Sequence, residues 1–373
     1  MKRFWLLIIF ILGSQFAFSP ANATTSNVVR LVTEPNRNLS GFFYSDELVT
    51  RLAPTGDLGK LVFYPSIRPR TWVVDVAFIE DVVAMSTEYQ IGLPGGERID
   101  GTGSAVAVNW LNQFKFITTN DPIIVLPYGN PDFRVAKKYA PGELSFYYAG
   151  ASQKLSEFLG RSVRSDRYGF YSVSKLKDTY ALRSKYTEIR RSITQIEQAV
   201  DAPELRDLRL QISRLLNPQI TNDLRARLIK NAYREEKLAN RSLKVISGRY
   251  RITSSSSKLP ITLVNDFSVP VKVNLKLTPR NSRVQIESVK RISIPAESRI
   301  QLAVELDVIT PGTATVGAQI TDVKGNPITK KSNLFLNLSV VDSRVAWFTS
   351  SAAIILFLAA TAQTLRRIRR SRK

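Results

Sequence analysis

The chain has 373 residues, with 53 Lys and Arg against 31 Asp and Glu, and a formal net charge of +22. It contains neither cysteine nor histidine, which rules out disulfides, Ser-His-Asp or Cys-His nucleophile pairs and ordinary zinc sites. Any chemistry must come from carboxylates, Lys, Tyr, Ser and Thr.

Residues 1–23 read as a secretory signal peptide. Lys2 and Arg3 precede the apolar run "FWLLIIFIL", and Ala21 and Ala23 frame a small-x-small cleavage site. Residues 27–160 then read as a small α/β domain. "KLVFYPSI" (60–67), "TWVVDVAF" (71–78) and "DPIIVLPY" (121–128) have strand-like apolar runs. "IEDVVAM", "SAVAVNWLNQF" (104–114), "PDFRVAKKYA" and "ASQKLSEFLG" have helical spacing. Continuous apolar strands separated by helices imply parallel strands covered on both faces. The length suits a partial, barrel-like unit and not a complete eight-fold barrel, which takes about 250 residues.

Residues 161–248 form a basic helical region. From Arg161 to Arg251 there are 21 Lys and Arg against 10 Asp and Glu. Leu182, Tyr186, Ile189, Ile193, Ile196 and Val200 recur every three or four residues, an amphipathic seam. Pro203 opens a second helix through Leu205, Leu208, Ile212 and Leu215. Thr221 is placed to N-cap a third, through Leu224, Leu228 and Leu238. Such helices make an antiparallel hairpin or small bundle, with Arg and Lys on the outer faces.

Residues 249–342 change to seven short alternating runs, from "RYRITSS" through "RVQIESVKRISI" to "NLFLNLSVVD", with turn signals between them. That pattern predicts an immunoglobulin-like β-sandwich without the inter-sheet disulfide. Val345 to Leu365 is uncharged and mostly apolar, the length of a transmembrane helix. The tail 366–373, "RRIRRSRK", would hold its end on the cytoplasmic side. The fold class expected is therefore multidomain α+β with one C-terminal span and a large extracytoplasmic region. Partners for so basic an ectodomain are a cell-wall polymer, an anionic lipid or another envelope protein, and not nucleic acid. No cofactor or metal motif is present. "GTG" at 101–103 lacks the third glycine of a dinucleotide loop and reads as a helix lead-in.

Two carboxylates stand where chemistry could sit. Asp75 ends "WVVD" and Asp132 follows "IIVLPYGNP", so in a parallel sheet both would lie at the carboxyl rim that usually binds ligands. As an acid and base they could cleave a glycosidic bond, with Tyr64, Trp72 and Tyr128 as sugar-stacking surfaces, or the two could hold a divalent metal. A second reading needs no substrate. Asn130 as N-cap, Pro131 at the first helical position and Asp132 in the first turn form a helix start. Asp75 would likewise be a polar stop before a helix. The helix-start reading is favoured.

"TWVVDVAFIEDVVAMS", "AVNWLNQF", "VLPYGNPDF" and "GRYRITSSSSKLPITLVNDFSVPVKVNLKLTPR" resemble an actinobacterial family of secreted, membrane-anchored envelope proteins, domain of unknown function 6049. The resemblance implies a role in envelope assembly and an α/β region like a glycosidase or deacetylase barrel, which is shortened here after "LPYGNPDF". The function expected is a non-enzymatic binding or scaffolding ectodomain. The alternative is a carbohydrate-active hydrolase using Asp75 and Asp132.

Overall fold

The computed structural model describes residues 27–64, 70–93, 95–339 and 343–370, without the side chains of 343–349 and 365–370. The signal segment, with Ala21 and Ala23, lies outside the described residues.

In chain order the first part contains β1 (Asn27–Leu31), α1 (Glu47–Leu52), α2 (Asp57–Phe63), β2 (Arg70–Val74) and α3 (Val76–Met85). A hairpin of β3 (Gln90–Gly92) and β4 (Arg98–Asp100) follows, then α4 (Ser104–Ile117), β5 (Ile123–Val125), α5 (Phe133–Tyr139), α6 (Pro141–Leu159) and β6 (Arg164–Ser165). The sheet order is β1-β2-β5-β6, and every pairing is parallel. Trp72, Val73 and Val74 of β2 are all buried because the strand is central and covered on both faces. Below it Trp110 stacks on Phe114 with ring centroids 5.3 Å apart, and Trp72 meets Phe114 edge-on at 5.7 Å.

Two sequence readings change here. Residues 60–63 of "KLVFYPSI" end α2 and are not a strand, while 65–67 lie outside the described residues. Leu58 and Val62, four apart, are both buried, so a helix serves the core better than alternation would. "TWVVDVAF" is a strand only to Val74. Asp75 then caps α3, accepting a hydrogen bond from Ala77 N at 3.0 Å.

The helical region contains α7 (Tyr180–Glu197), α8 (Pro203–Gln211), a tight 3-10 turn at Ile212–Leu216 and α9 (Asn222–Ser242). Leu182, Tyr186, Ile189, Ile193 and Ile196 are buried as one stripe. The Thr221 hydroxyl accepts from Leu224 N at 3.2 Å and caps α9. Ile212 and Leu215 are buried in the 3-10 turn and do not extend α8, and Leu238 is exposed.

Nine strands then form two sheets around a shared core: β7 (Leu243–Val245), β8 (Gly248–Ile252), β9 (Ser256–Asn265), β10 (Val271–Pro279), β11 (Val284–Ile286), β12 (Val289–Ile294), β13 (Ser298–Val308), β14 (Gly312–Thr321) and β15 (Ser332–Leu338). One sheet has the order β12-β10-β14-β15-β8 and the other β11-β13-β9-β7. Seven runs become nine strands for two reasons. "RVQIESVKRISI" divides between the sheets at Ser288, whose hydroxyl accepts from Leu277 N at 3.0 Å. Leu243–Val245, assigned by sequence to the helical region, adds an edge strand beside β9. Pro260 is tolerated inside β9 because β7 pairs only with Leu263–Asn265.

Ile196, Val200, Ala202 and Leu205, at the α7–α8 junction, join the core of this β-unit, so the helices connect the two ends of the molecule. The final helix, α10 (Ser343–Arg370), contains the expected span. Among the described residues no helix is long and apolar enough to cross a membrane, and the side chains of 345–349, where that span begins, are not among them. The fold is thus mixed α+β, with helices packed beside β-sheets.

Candidate functional site

The carboxyl rim of the parallel sheet is built from the residues that follow β1, β2 and β5. Asp75 leaves β2, is 2% exposed, and accepts from Ala77 N at 3.0 Å and from Gly129 N at 2.9 Å. Burial pushes its carboxyl up to about 7, against the pull of the Ala77 N–H, Arg214 and the Gly129 N–H. Gly129 can serve because its φ of 73° places the N–H towards Asp75 in a turn where a Cβ would meet Arg214 Cγ at 2.7 Å.

The centre of the rim is occupied from outside the sheet. Arg214, from the 3-10 turn, is 2% exposed and reaches Asp81 Oδ1 of α3 at 3.1 Å and Ala77 O at 3.3 Å. Burial alone would lower its pKa. Asp81, with Tyr128, Asp75 and Glu80 around it, instead holds it above the usual guanidinium value. Asp81 also accepts from Arg37 Nε at 2.7 Å and Asn36 N at 3.1 Å, so this buried carboxylate is fully engaged. Asn217 donates to Gly129 O at 3.1 Å, and Ser213 donates to Tyr128 O. Behind them Lys154 bridges Glu80 at 2.8 Å and Asp207 at 2.9 Å. The void left between Asp75, Asp81, Gly129, Arg214 and Asn217 is about 10 Å³, at most the room one water needs.

The sequence candidates separate. Asp132 is itself the N-cap of α5, accepting from Val135 N at 3.1 Å and from Leu176 N at 3.0 Å. Asn130 is therefore not the cap; it takes a φ of 47° in the turn before, and both its amide atoms are buried without a partner among the described residues. Asp75 lines the rim void and Asp132 does not, so the two carboxylates do not face a common cavity. Trp72 is wholly buried, donating Nε1–H to Asp121 at 2.8 Å, and Tyr128 is buried with its hydroxyl on Glu80. Neither ring presents a face to a sugar. Tyr64 is 59% exposed at the end of α2 and lines none of these cavities.

"GTG" has a packing explanation. A Cβ on Gly101 would lie 2.0 Å from Tyr89 Cε2, and Gly103 N donates to the Tyr89 hydroxyl at 2.9 Å. Sequence reading did not find Arg214, Asp81 or Glu80. A lone Arg in a basic run reads as solvated, and nothing local marks it as buried. Outside the plug, an open cleft of about 900 Å³ runs past Glu34, Glu47, Arg51, Lys175 and Arg227, with both signs of charge on its walls.

A mixed α+β chain with a parallel sheet, a helical region and a two-sheet β-unit is the class that the architecture defines. The chain belongs to the family described as "Family of unknown function (DUF6049)", which matches residues 149–373. No curated protein matches it. Solved structures similar to part of it include WR4, a C. elegans MSP family member, with 10% identity over 26% of this chain and 97% of that one, TM-score 0.21. E. coli alpha-2-macroglobulin is 16% identical over 26% of this chain, which is 6% of its own length, TM-score 0.21. A FixG-related protein from Vibrio parahaemolyticus is 12% identical over 26% of this chain and 94% of that chain, TM-score 0.21.

Proposed function

We propose that this chain is a single-span envelope protein whose extracytoplasmic part binds or scaffolds and does not catalyse. The α/β and helical regions form the binding body. The β-unit, read as immunoglobulin-like, holds that body above the membrane, and Val345–Leu365 is the anchor with its basic tail inside. The observation that supports the non-enzymatic reading is the Arg214 plug. The rim where an α/β enzyme would hold substrate is filled by the protein's own side chains, with room for about one water.

The alternative, a carbohydrate-active hydrolase, draws on one feature. A carboxyl raised to about 7 at Asp75 has the pKa of a general acid or base at neutral pH. The test is release of reducing sugar or acetate from purified cell wall by the full chain and by the D75N/D132N variant. No release from either is expected, and release abolished by the double substitution would overturn the reading. Topology is tested separately, and the cysteine-free background helps. S174C should react with an impermeant maleimide on intact cells, and S371C only after lysis. The reverse pattern would refute the proposed orientation.

A further inference from the structure

A second concavity, away from the plugged rim, has the make-up of a ligand site. It is a groove of about 590 Å³ between α5, α6 and the turn after β6, within the size range of small-molecule sites. Leu144, Tyr148 and Ala149, on one face of α6, form its floor with Phe133 of α5. Ser145, Ser152 and Ser165 supply hydroxyls, and Lys137 and Arg167 supply cations.

The cations are uncommitted. Lys138 is paired with Asp178 at 2.8 Å, whereas Lys137 and Arg167 form no ion pair among the described residues. Lys137 lies 5.6 Å from the centroid of Phe133, and among the described residues Arg167 donates only to Ser165 Oγ, at 3.3 Å. The nearest acid in sequence, Asp166, is buried and accepts from Phe170 N and Tyr171 N, both at 2.9 Å. Those bonds fix the turn that carries Arg167. Gly169 lets the turn close onto α5, since a Cβ there would lie 2.7 Å from Phe133 Cγ. The Tyr148 hydroxyl is sealed from solvent beside Ser172, so what Tyr148 offers the groove is its ring.

We infer that this groove binds an organic phosphate with an apolar body, the body on Phe133, Leu144 and Tyr148 and the phosphate between Lys137 and Arg167. Two free cations beside serine hydroxyls select a compact anion with several acceptor oxygens, and Arg provides the paired donors that phosphate suits. A neutral apolar occupant would leave both cations unanswered, and a bare anion would leave the aromatic floor uncovered. The inference names a ligand class for the binding body proposed above and rests on that reading.

The probe is 1-naphthyl phosphate, titrated by fluorescence anisotropy against the full chain in phosphatidylcholine nanodiscs, with empty nanodiscs as the blank. Inorganic phosphate and 1-naphthol are the fragment controls. Saturable binding near a Kd of about 0.1 mM is expected, with each fragment at least about tenfold weaker. K137E/R167E should weaken it about tenfold or more. A149W, at an exposed position of α6, should abolish it by filling the groove. Circular dichroism on both variants separates loss of the site from loss of the fold. Absence of saturable binding, binding unchanged in both folded variants, or a fragment that binds as well as the whole probe would overturn the proposal. Release of free 1-naphthol would support the site while overturning the non-enzymatic reading, so the two failures are distinguishable.

Discussion

At the scale of single residues, Asp75 and Arg214 carry opposite consequences for stability. Asp75 is an acid whose pKa in the folded chain, about 7, lies above the ordinary carboxylate value of about 3.9. Between those values the native state binds a proton that the unfolded state has lost. The unfolding free energy therefore falls as pH rises from about 4 to 7 and then levels off. D75N keeps an acceptor for the Ala77 and Gly129 N–H groups but cannot ionise. Denaturant melts of both proteins at pH 5 and pH 8 should show the wild type losing stability relative to D75N, by on the order of 2–4 kcal/mol. Equal pH dependence in the two would refute a raised Asp75. Arg214 behaves differently, since R214M leaves Asp81 buried with one fewer cation. The expected loss is about 3 kcal/mol or more, read from the same melts. A change below about 1 kcal/mol would mean that the plug is not held by charge.

At the scale of elements, the caps show how a local signal and a tertiary one combine. Asp132 satisfies the first turn of α5 through Val135 N, which any Asn-Pro-Asp helix start would allow. Its other oxygen accepts from Leu176 N, 44 residues on, and so ties α5 to the segment leading into α7. D132A should cost about 2 kcal/mol, more than an ordinary cap, while D132N should recover most of it. A D132A loss as small as that of a simple cap would mean that the Leu176 contact contributes nothing. The stripe of α7 was legible because helix periodicity is a local property: Ile189 and Ile193 are buried where the spacing placed them. I193A is accordingly expected to lose about 2–5 kcal/mol. "KLVFYPSI" misled because so short an apolar run fits either period, and only the packing of Leu58 and Val62 decided for a helix.

At the scale of the whole molecule, the charge excess divides into structural and free cations. Arg209 pairs with Glu143 at 2.8 Å and Glu197 at 2.9 Å, and Arg225 is buried on the carbonyls of Leu215, Asn217 and Ile220. Arg209 thus ties α8 to α6 and α7, Arg225 braces the turn before α9, and both are engaged within the protein. Lys185, Arg191, Lys230 and Lys237 are exposed without an ion pair among the described residues. They are the ones expected to meet an anionic wall polymer or lipid surface. Binding of the full chain to phosphatidylglycerol vesicles should weaken as salt rises from 0.05 to 0.5 M, because screening shortens to within about 10 Å in that range. K185E/R191E/K230E/K237E should weaken it further at low salt. Salt-independent binding that survives this reversal would refute an electrostatic surface.

The sequence by itself determined the lack of Cys and His chemistry, the amphipathic stripe of α7, the Thr221 cap and the alternating strands of the β-unit. Each of these follows from composition or from a period of two to four residues. The tertiary structure alone decided that Arg214 fills the carboxyl rim, that Asp75 and Asp132 face different surroundings, and that "RVQIESVKRISI" divides between two sheets. The physical reason is range. Arg214 meets Asp81 across 133 residues, and neither residue's neighbours in sequence record that pairing. Whether a charged side chain is a solvated surface group or a buried plug depends on what folds over it.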